Sequence, residues 1–239
     1  MTTSYRTSHA AKGAYYDQGP NMGPWDRFLH ERHAEILRDL VRRLFPSRIR
    51  RYMDFACGTG RITQHVGAYA EDVVGVDISA SMLRTAREKM PALTWLQADL
   101  TREDPDLGTF DLVTAFRFFG NAEQDLRERA VRAIARRQEP GSVLIVNNHR
   151  NPNAVAARLA RLRGQPDGMD LTHRKFIRLL EAAGYRIEQV VPIGVWAWRA
   201  SVKDRAGEKP ARYAQQERRW SAPWLAPIAP DCVLLAERV

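Results

Sequence analysis

"YMDFACGTGRIT", residues 52–63, is the stretch on which the reading of this chain turns. An apolar run ends on Asp54, a turn of small residues follows, and a helix start comes next. A P-loop needs G-x-x-x-x-G-K-[ST] at such a turn, but Gly60 is followed by Arg61 and Ile62, so a nucleoside triphosphate site fails. A dinucleotide fingerprint needs a third glycine where Thr63 stands, which weakens the pyrophosphate reading. What remains is an acid followed by small residues at every second position: Asp54, Ala56, Gly58, Gly60. Such a turn lets backbone approach a ligand closely and offers it a carboxylate instead of a phosphate cradle.

Outward from this turn the chain alternates apolar strands with amphipathic helices. Predicted strands are "RYMDFA", "DVVGVD", "LTWLQA", "FDLVTAF", "VLIVNN", "YRIEQVV" and "DCVLLAERV". Predicted helices are "ITQHVGAYA", "SASMLRTAREKM" with Ser79 as N-cap, "EQDLRERAVRAIARRQ", "NAVAARLARLR", and "THRKFIRLLEAAG" with Thr172 as cap and Gly184 just past the end. This alternation specifies an α/β, doubly wound, mostly parallel sheet. Ligands of such sheets bind beyond the carboxyl ends of the strands, near the switch point, which is where the turn lies. Ahead of the first strand, Trp25, Phe28, Leu29, Ile36, Leu37, Leu40, Val41 and Leu44 recur at helical spacing until Pro46. The expected layout is an N-terminal arm and lid helix over residues 1–45 and a main domain over 46–239. A cap spanning 194–230 is inserted between the sixth and seventh strands.

Two more acids fall at strand ends: Asp77 in "VVGVDIS" and Asp99 in "WLQADL". With Asp54, Ala56, Gly58 and Gly60 they make the chain resemble the class I S-adenosylmethionine-dependent methyltransferases. The resemblance covers roughly residues 50–150 and the "LLEAAGY" segment. It implies a Rossmann-like seven-stranded sheet with the last strand antiparallel, and S-adenosyl-L-methionine as methyl donor, with S-adenosyl-L-homocysteine as product and no metal. Asp54, Ala56, Gly58 and Gly60 then hold the methionine part, Asp77 with Ile78 the ribose, and Asp99 with Leu100 the adenine. Phe116 borders the methyl group, and Tyr16 in the N-terminal arm is a candidate cover for the donor. The family usually has glycine where Ala56 stands. Cys57, inside the turn, reads as a small buried side chain.

The acceptor is read by elimination. After the fourth strand come Ala115, Phe116, Arg117 and Phe118, not the [D/N]-P-P-[YF] of amide and nucleobase methyltransferases. No cysteine nucleophile follows that strand, so cytosine C5 chemistry fails as well. What remains resembles the small-molecule branch of the family, with "EPG" before the fifth strand and "LLEAAGY" before the sixth, which implies a small-molecule acceptor methylated on oxygen or nitrogen. "VNNHRNP" places Asn147, Asn148 and His149 over the same crevice, with His149 the candidate base and Asn148 a candidate acceptor contact. Arg117 can grip a carboxylate or phosphate. His173, in a first helical turn, is a weaker base candidate. Trp196, Trp198, Trp220 and Trp224 in the cap suggest a shared surface for an aromatic, apolar or amphipathic acceptor, with Trp196 as an acceptor contact. The cations interleaved with them, Arg199 to Arg219, leave RNA or an anionic lipid-linked acceptor as alternatives. A cofactor-binding regulator and an NAD(P) oxidoreductase are the other classes.

Composition sets outer bounds. The chain has 239 residues, 44% hydrophobic and 27% charged, enough for one large α/β domain. No apolar run has transmembrane length, and the polar start "MTTSYRTSHAAKG" is unlike a signal peptide, so a cytoplasmic protein is expected, monomeric or homodimeric. Two cysteines cannot form a disulfide framework or a metal cage. The net charge of +9 lies largely at helical spacing, as in Arg127, Arg129, Arg132, Arg136 and Arg137, which suits solvated helix faces better than a nucleic-acid groove.

Overall fold

A computed structural model describes residues 23–165, 168–198 and 200–239. Tyr16, with the rest of the arm before Gly23, and Arg199 lie outside the described residues. Seven strands form one sheet: β1 (Ile49–Phe55), β2 (Ala70–Asp77), β3 (Thr94–Gln97), β4 (Leu112–Ala115), β5 (Val143–Asn148), β6 (Tyr185–Ile193) and β7 (Asp231–Arg238). Their order is β3-β2-β1-β4-β5-β7-β6, parallel except that β7 runs antiparallel to both β5 and β6. The order reverses between β1 and β4, so a crevice opens at their carboxyl ends.

The strands read as near-continuous apolar runs because both faces are covered. Along β1, Tyr52 points to one face and Met53 to the other; Leu112 and Val113 divide likewise on β4, and Ile145 and Val146 on β5. One face packs under α1 (Pro24–Leu44), whose Phe28, Leu29, Leu37 and Val41 form the buried stripe. The other packs under α4 (Gln124–Ala135) and α6 (His173–Ala182), through Leu126, Val131, Ile134, Phe176 and Leu180. The remaining helices among the described residues are α2 (Thr63–Val66), α3 (Ala80–Lys89), α5 (Val155–Leu162), α7 (Ala200–Glu208) and α8 (Pro210–Arg219).

The caps form as their residue types dictate. Ser79 Oγ accepts from the Met82 N–H, and Thr172 Oγ1 accepts from the Lys175 N–H. One helix is shorter than the pattern suggests: only Thr63–Val66 is α-helical, a single 3₁₀ turn covers Gly67–Tyr69, and β2 already begins at Ala70. Pairing of Ala70 with Ile49 pulls the chain back into the sheet at that point. The cap is two helices and a 3₁₀ turn (Pro223–Ile228), with α7 laid against α1.

Candidate active site

The turn after β1 is held from below. Ala56, Gly58 and Gly60 all have positive φ, at 55°, 56° and 75°. A side chain on Gly60 would come within 2.5 Å of Met90 Cε, so the turn packs tightly against α3 and β3 on that side. Asp54 lies under the turn and is fully buried, accepting from Thr63 Oγ1 at 2.6 Å and Thr114 Oγ1 at 2.8 Å. Burial outweighs both hydrogen bonds and raises its carboxyl to about 6. Asp77 receives the Gly58 N–H on one oxygen and the Ser79 N–H on the other, both at 2.8 Å, so it fixes the turn to the start of α3. Asp99 accepts from the Thr101 N–H and hydroxyl at 3.1 and 2.6 Å. Burial pushes the Cys57 thiol well up, which leaves it a packing residue.

Three hollows meet here. Asp77, Ile78, Asp99 and Leu100 line the first, floored by Phe55 and Phe118. Asp54, Ala56, Gly58, Arg61, Phe116 and Arg117 line the second. The third is a cavity of about 370 Å³ beyond Arg61 and Arg117. Its wall carries four cations, Arg61, Arg117, Arg150 and Lys203, against two carboxylates, Asp26 and Asp231. Burial lowers the Lys203 ammonium, whose Nζ stands 5.4 Å from the Trp25 ring centroid. Arg117 takes a left-handed backbone, φ 59°, rare for a branched-chain-sized or larger residue. Its N–H donates to Asn147 Oδ1 at 2.7 Å and its guanidinium to Asp26 at 2.7 Å, which joins the lid helix α1 to the crevice.

Several residues named from sequence are placed differently from that reading. His149 lines the cavity, but burial drives its imidazole down to about 3, which keeps it neutral and makes it a poor base. Asn148 faces inward: its amide donates to Leu171 O at 2.7 Å and contacts His173 Nδ1 at 3.2 Å. His173 is a packing residue, with Nε2 on Ala229 O at 3.0 Å. Trp196 sits in the lid interior, stacked on Tyr213, with its indole N–H on Glu217 at 2.5 Å. Trp198, Trp220 and Trp224 are exposed, so the four tryptophans form no common wall.

Sequence reasoning missed His33 and Asp231. His33 Nε2 lies 2.8 Å from Asp231 Oδ2, both are buried, and both are on the cavity wall. Asn147 Nδ2 donates to both oxygens of Asp231, at 3.0 and 3.3 Å. Burial raises the Asp231 carboxyl, but His33 and the hydrogen bonds the carboxyl receives from His33 and Asn147 outweigh this and hold the group well below the usual carboxylate range. The signal was present in outline: His33 interrupts the apolar stripe of α1 between Leu29 and Ile36, and Asp231 opens a strand that is otherwise apolar to Ala236.

Acids stand at the ends of β1, β2 and β3 around a glycine turn with no phosphate cradle, a chemistry that can receive a nucleoside ligand carrying positive charge. The buried Asp54 carboxyl, raised by burial, suits an ammonium partner. A methyltransferase-domain family model matches residues 53–141. A trans-aconitate 2-methyltransferase of Azoarcus sp. (strain BH72) is 33% identical over 181 residues, 72% of this chain and 69% of that protein. One from Rhodopseudomonas palustris (strain BisB18) is 36% identical over 134 residues, 52% of this chain and half of that protein's length. The solved N-methyltransferase NodS of Bradyrhizobium japonicum WM9, in complex with S-adenosyl-L-homocysteine, shares the fold at TM-score 0.60 and 15% identity, covering 97% of this chain and 94% of that one. The chain belongs to the class I S-adenosylmethionine-dependent methyltransferases. Its reaction is methyl transfer from S-adenosyl-L-methionine to a small-molecule acceptor. No described helix is long and apolar enough to cross a membrane, and no group of three or more described His, Cys, Asp or Glu side chains is placed to hold a metal ion.

Proposed function

We propose that the acceptor is an anionic, carboxylate-bearing small molecule, methylated on oxygen. The observation that carries this reading is the cavity beside the donor turn, with four cations facing two carboxylates. Its volume is in the range of small-ligand sites, roughly 300–1,000 Å³. The relatives named as trans-aconitate 2-methyltransferases support an acceptor of that charge. In this reading Asp54, Ala56, Gly58 and Gly60 take the methionine part of the donor, Asp77 and Ile78 its ribose, and Asp99 and Leu100 its adenine. Phe116 flanks the sulfonium, and Tyr16 of the N-terminal arm covers it. Arg117, Arg61, Arg150 and Lys203 hold the acceptor's negative charge. Two buried free thiols, Cys57 and Cys232, suit a reducing compartment such as the cytoplasm.

The test is transfer of label from methyl-labelled S-adenosylmethionine to matched carboxylates, their neutral amides, and primary amines. Carboxylates are expected to exceed their amides by about ten- to a hundredfold in kcat/KM, since a charged hydrogen bond contributes roughly 1.5–3 kcal/mol. Arg150→Ala is expected to raise the acceptor KM. Equal use of acids and amides, or preference for amines, overturns the reading.

A further inference from the structure

His33 and Asp231 form a pair that methyl transfer to an already ionised oxygen does not require. Asp231 is held ionised and accepts only, so the hydrogen between it and His33 Nε2 belongs to the ring. In the neutral ring that places the proton on Nε2 and a lone pair on Nδ1. His33 Nδ1 is buried and has no hydrogen-bond partner among the described residues. The ring stands on the wall of the cationic cavity, 5.2 Å from the Phe116 ring, and Phe116 lines the methionine-side hollow together with Asp54 and Gly58. His33 therefore stands on the wall of the cationic cavity and against a residue, Phe116, that lines the methionine-side hollow. Asn147, held by the Arg117 N–H, fixes Asp231 from the opposite side. A carboxylate on one ring nitrogen and no described partner on the other is the pairing of a base with an orienting acid.

We propose that His33 is the catalytic base of an O-methyl transfer to a hydroxyl group, with Asp231 as its positioning residue, so that the acceptor is a hydroxycarboxylate. The inference rests on the anionic-acceptor reading for the carboxylate and on the dyad for the hydroxyl. As the acceptor's O–H proton passes to His33 Nδ1, its oxygen bonds to the methyl carbon, and the carbon–sulfur bond breaks with its electron pair left on sulfur. The imidazolium so formed faces Asp231 and returns its proton to solvent after product leaves. A carboxylate oxygen has no proton to give, and an ammonium acceptor is disfavoured by the four cations, so the hydroxyl is the group this pair serves.

The test uses methyl-labelled S-adenosylmethionine with salicylate, 4-hydroxybenzoate and malate. Benzoate, succinate and trans-aconitate serve as acids without a hydroxyl, and salicylamide and 4-hydroxybenzamide as neutral hydroxyl compounds. Label is expected on the hydroxy acids in a form that survives mild alkali, as an ether does and an ester does not. His33→Gln is expected to lower kcat about a hundredfold or more with KM and S-adenosylhomocysteine affinity unchanged. Asp231→Asn, whose amide can donate to Nε2 and move the ring proton to Nδ1, is expected to lower kcat likewise. Alkali-labile label on acids without a hydroxyl, with His33→Gln still active, overturns the base and leaves the anionic acceptor standing. Equal methylation of the neutral hydroxyl compounds, abolished by His33→Gln, keeps the base and removes the anionic acceptor. Independently of any acceptor, histidine nitrogen resonances of the wild-type protein at pH 7.5 should report His33 as the Nε2–H tautomer, shifted in Asp231→Asn; an Nδ1–H tautomer in the wild type overturns the proposal.

Discussion

Asp54 is the buried carboxyl beneath the turn on which the proposed donor site rests. Its carboxyl sits at about 6 in the folded chain against an ordinary 3.8, so folding favours the protonated form. The contribution to stability is therefore fully present below about pH 4 and is lost as pH rises through about 6, a change on the order of 3 kcal/mol for a group this buried. A ligand ammonium set against Asp54 works in the opposite direction and favours the ionised carboxylate. Affinity for S-adenosylhomocysteine should then rise about tenfold between pH 5 and pH 7.5, and Asp54→Asn should flatten that dependence; a flat wild-type profile removes the ammonium from Asp54. Asp54, Asp77 and Asp99 could be read from sequence because each is marked locally, an acid closing an apolar run. His33 and Asp231 could not be paired that way: they are 198 residues apart, and each alone resembles a polar exception in an apolar stretch.

At the scale of elements, the turn 56–60 shows strain where the sequence departs from its family. Ala56 sits at φ 55°, a region that costs an L side chain roughly 1–2 kcal/mol and glycine almost nothing. Ala56→Gly should therefore stabilise the chain by about 1 kcal/mol, less the entropy glycine adds to the unfolded state, and raise Tm by roughly 2–4 °C in a scanning calorimeter. A lower Tm would mean the alanine methyl contributes packing that exceeds the strain. Strands were legible to within a few residues, because burial on both faces leaves continuous apolar runs bounded by polar turns. The helix after the turn was not: its apolar spacing persists through Tyr69, but pairing of Ala70 with Ile49 ends it early. The cap was misread for a related reason. Four tryptophans close in sequence suggested one wall, yet only Trp196 is drawn inward, by Glu217 and Tyr213 on α8, and the other three stay exposed.

The whole molecule gathers into one crevice what the sequence disperses. The ends of β1 and β2 bring the donor acids, the ends of β4 and β5 bring Arg117 and Asn147, β7 opens with Asp231, and α1 delivers Asp26 and His33 from above. The net charge of +9 likewise reads differently once folded. Part of it serves solvated helix faces, as in the Arg129–Asp125 pair one helical turn apart; Arg127 and Arg137, expected on such faces, are instead buried, held by Phe119 O and Asp170 and by Ala133 O and Asp104, while Arg61, Arg117, Arg150 and Lys203 turn toward the cavity. No local pattern separates the two sets. Every role assigned to that cavity depends on the donor lying across Asp54 and Asp77. The measurement that tests this most directly is calorimetric titration of S-adenosylhomocysteine into the wild-type chain and into Asp77→Ala, with NADH as control. The account predicts micromolar binding, roughly −8 kcal/mol, to the wild type, a loss of about tenfold or more in the variant, and no NADH binding. Undiminished affinity in Asp77→Ala, or binding of NADH in its place, would contradict it.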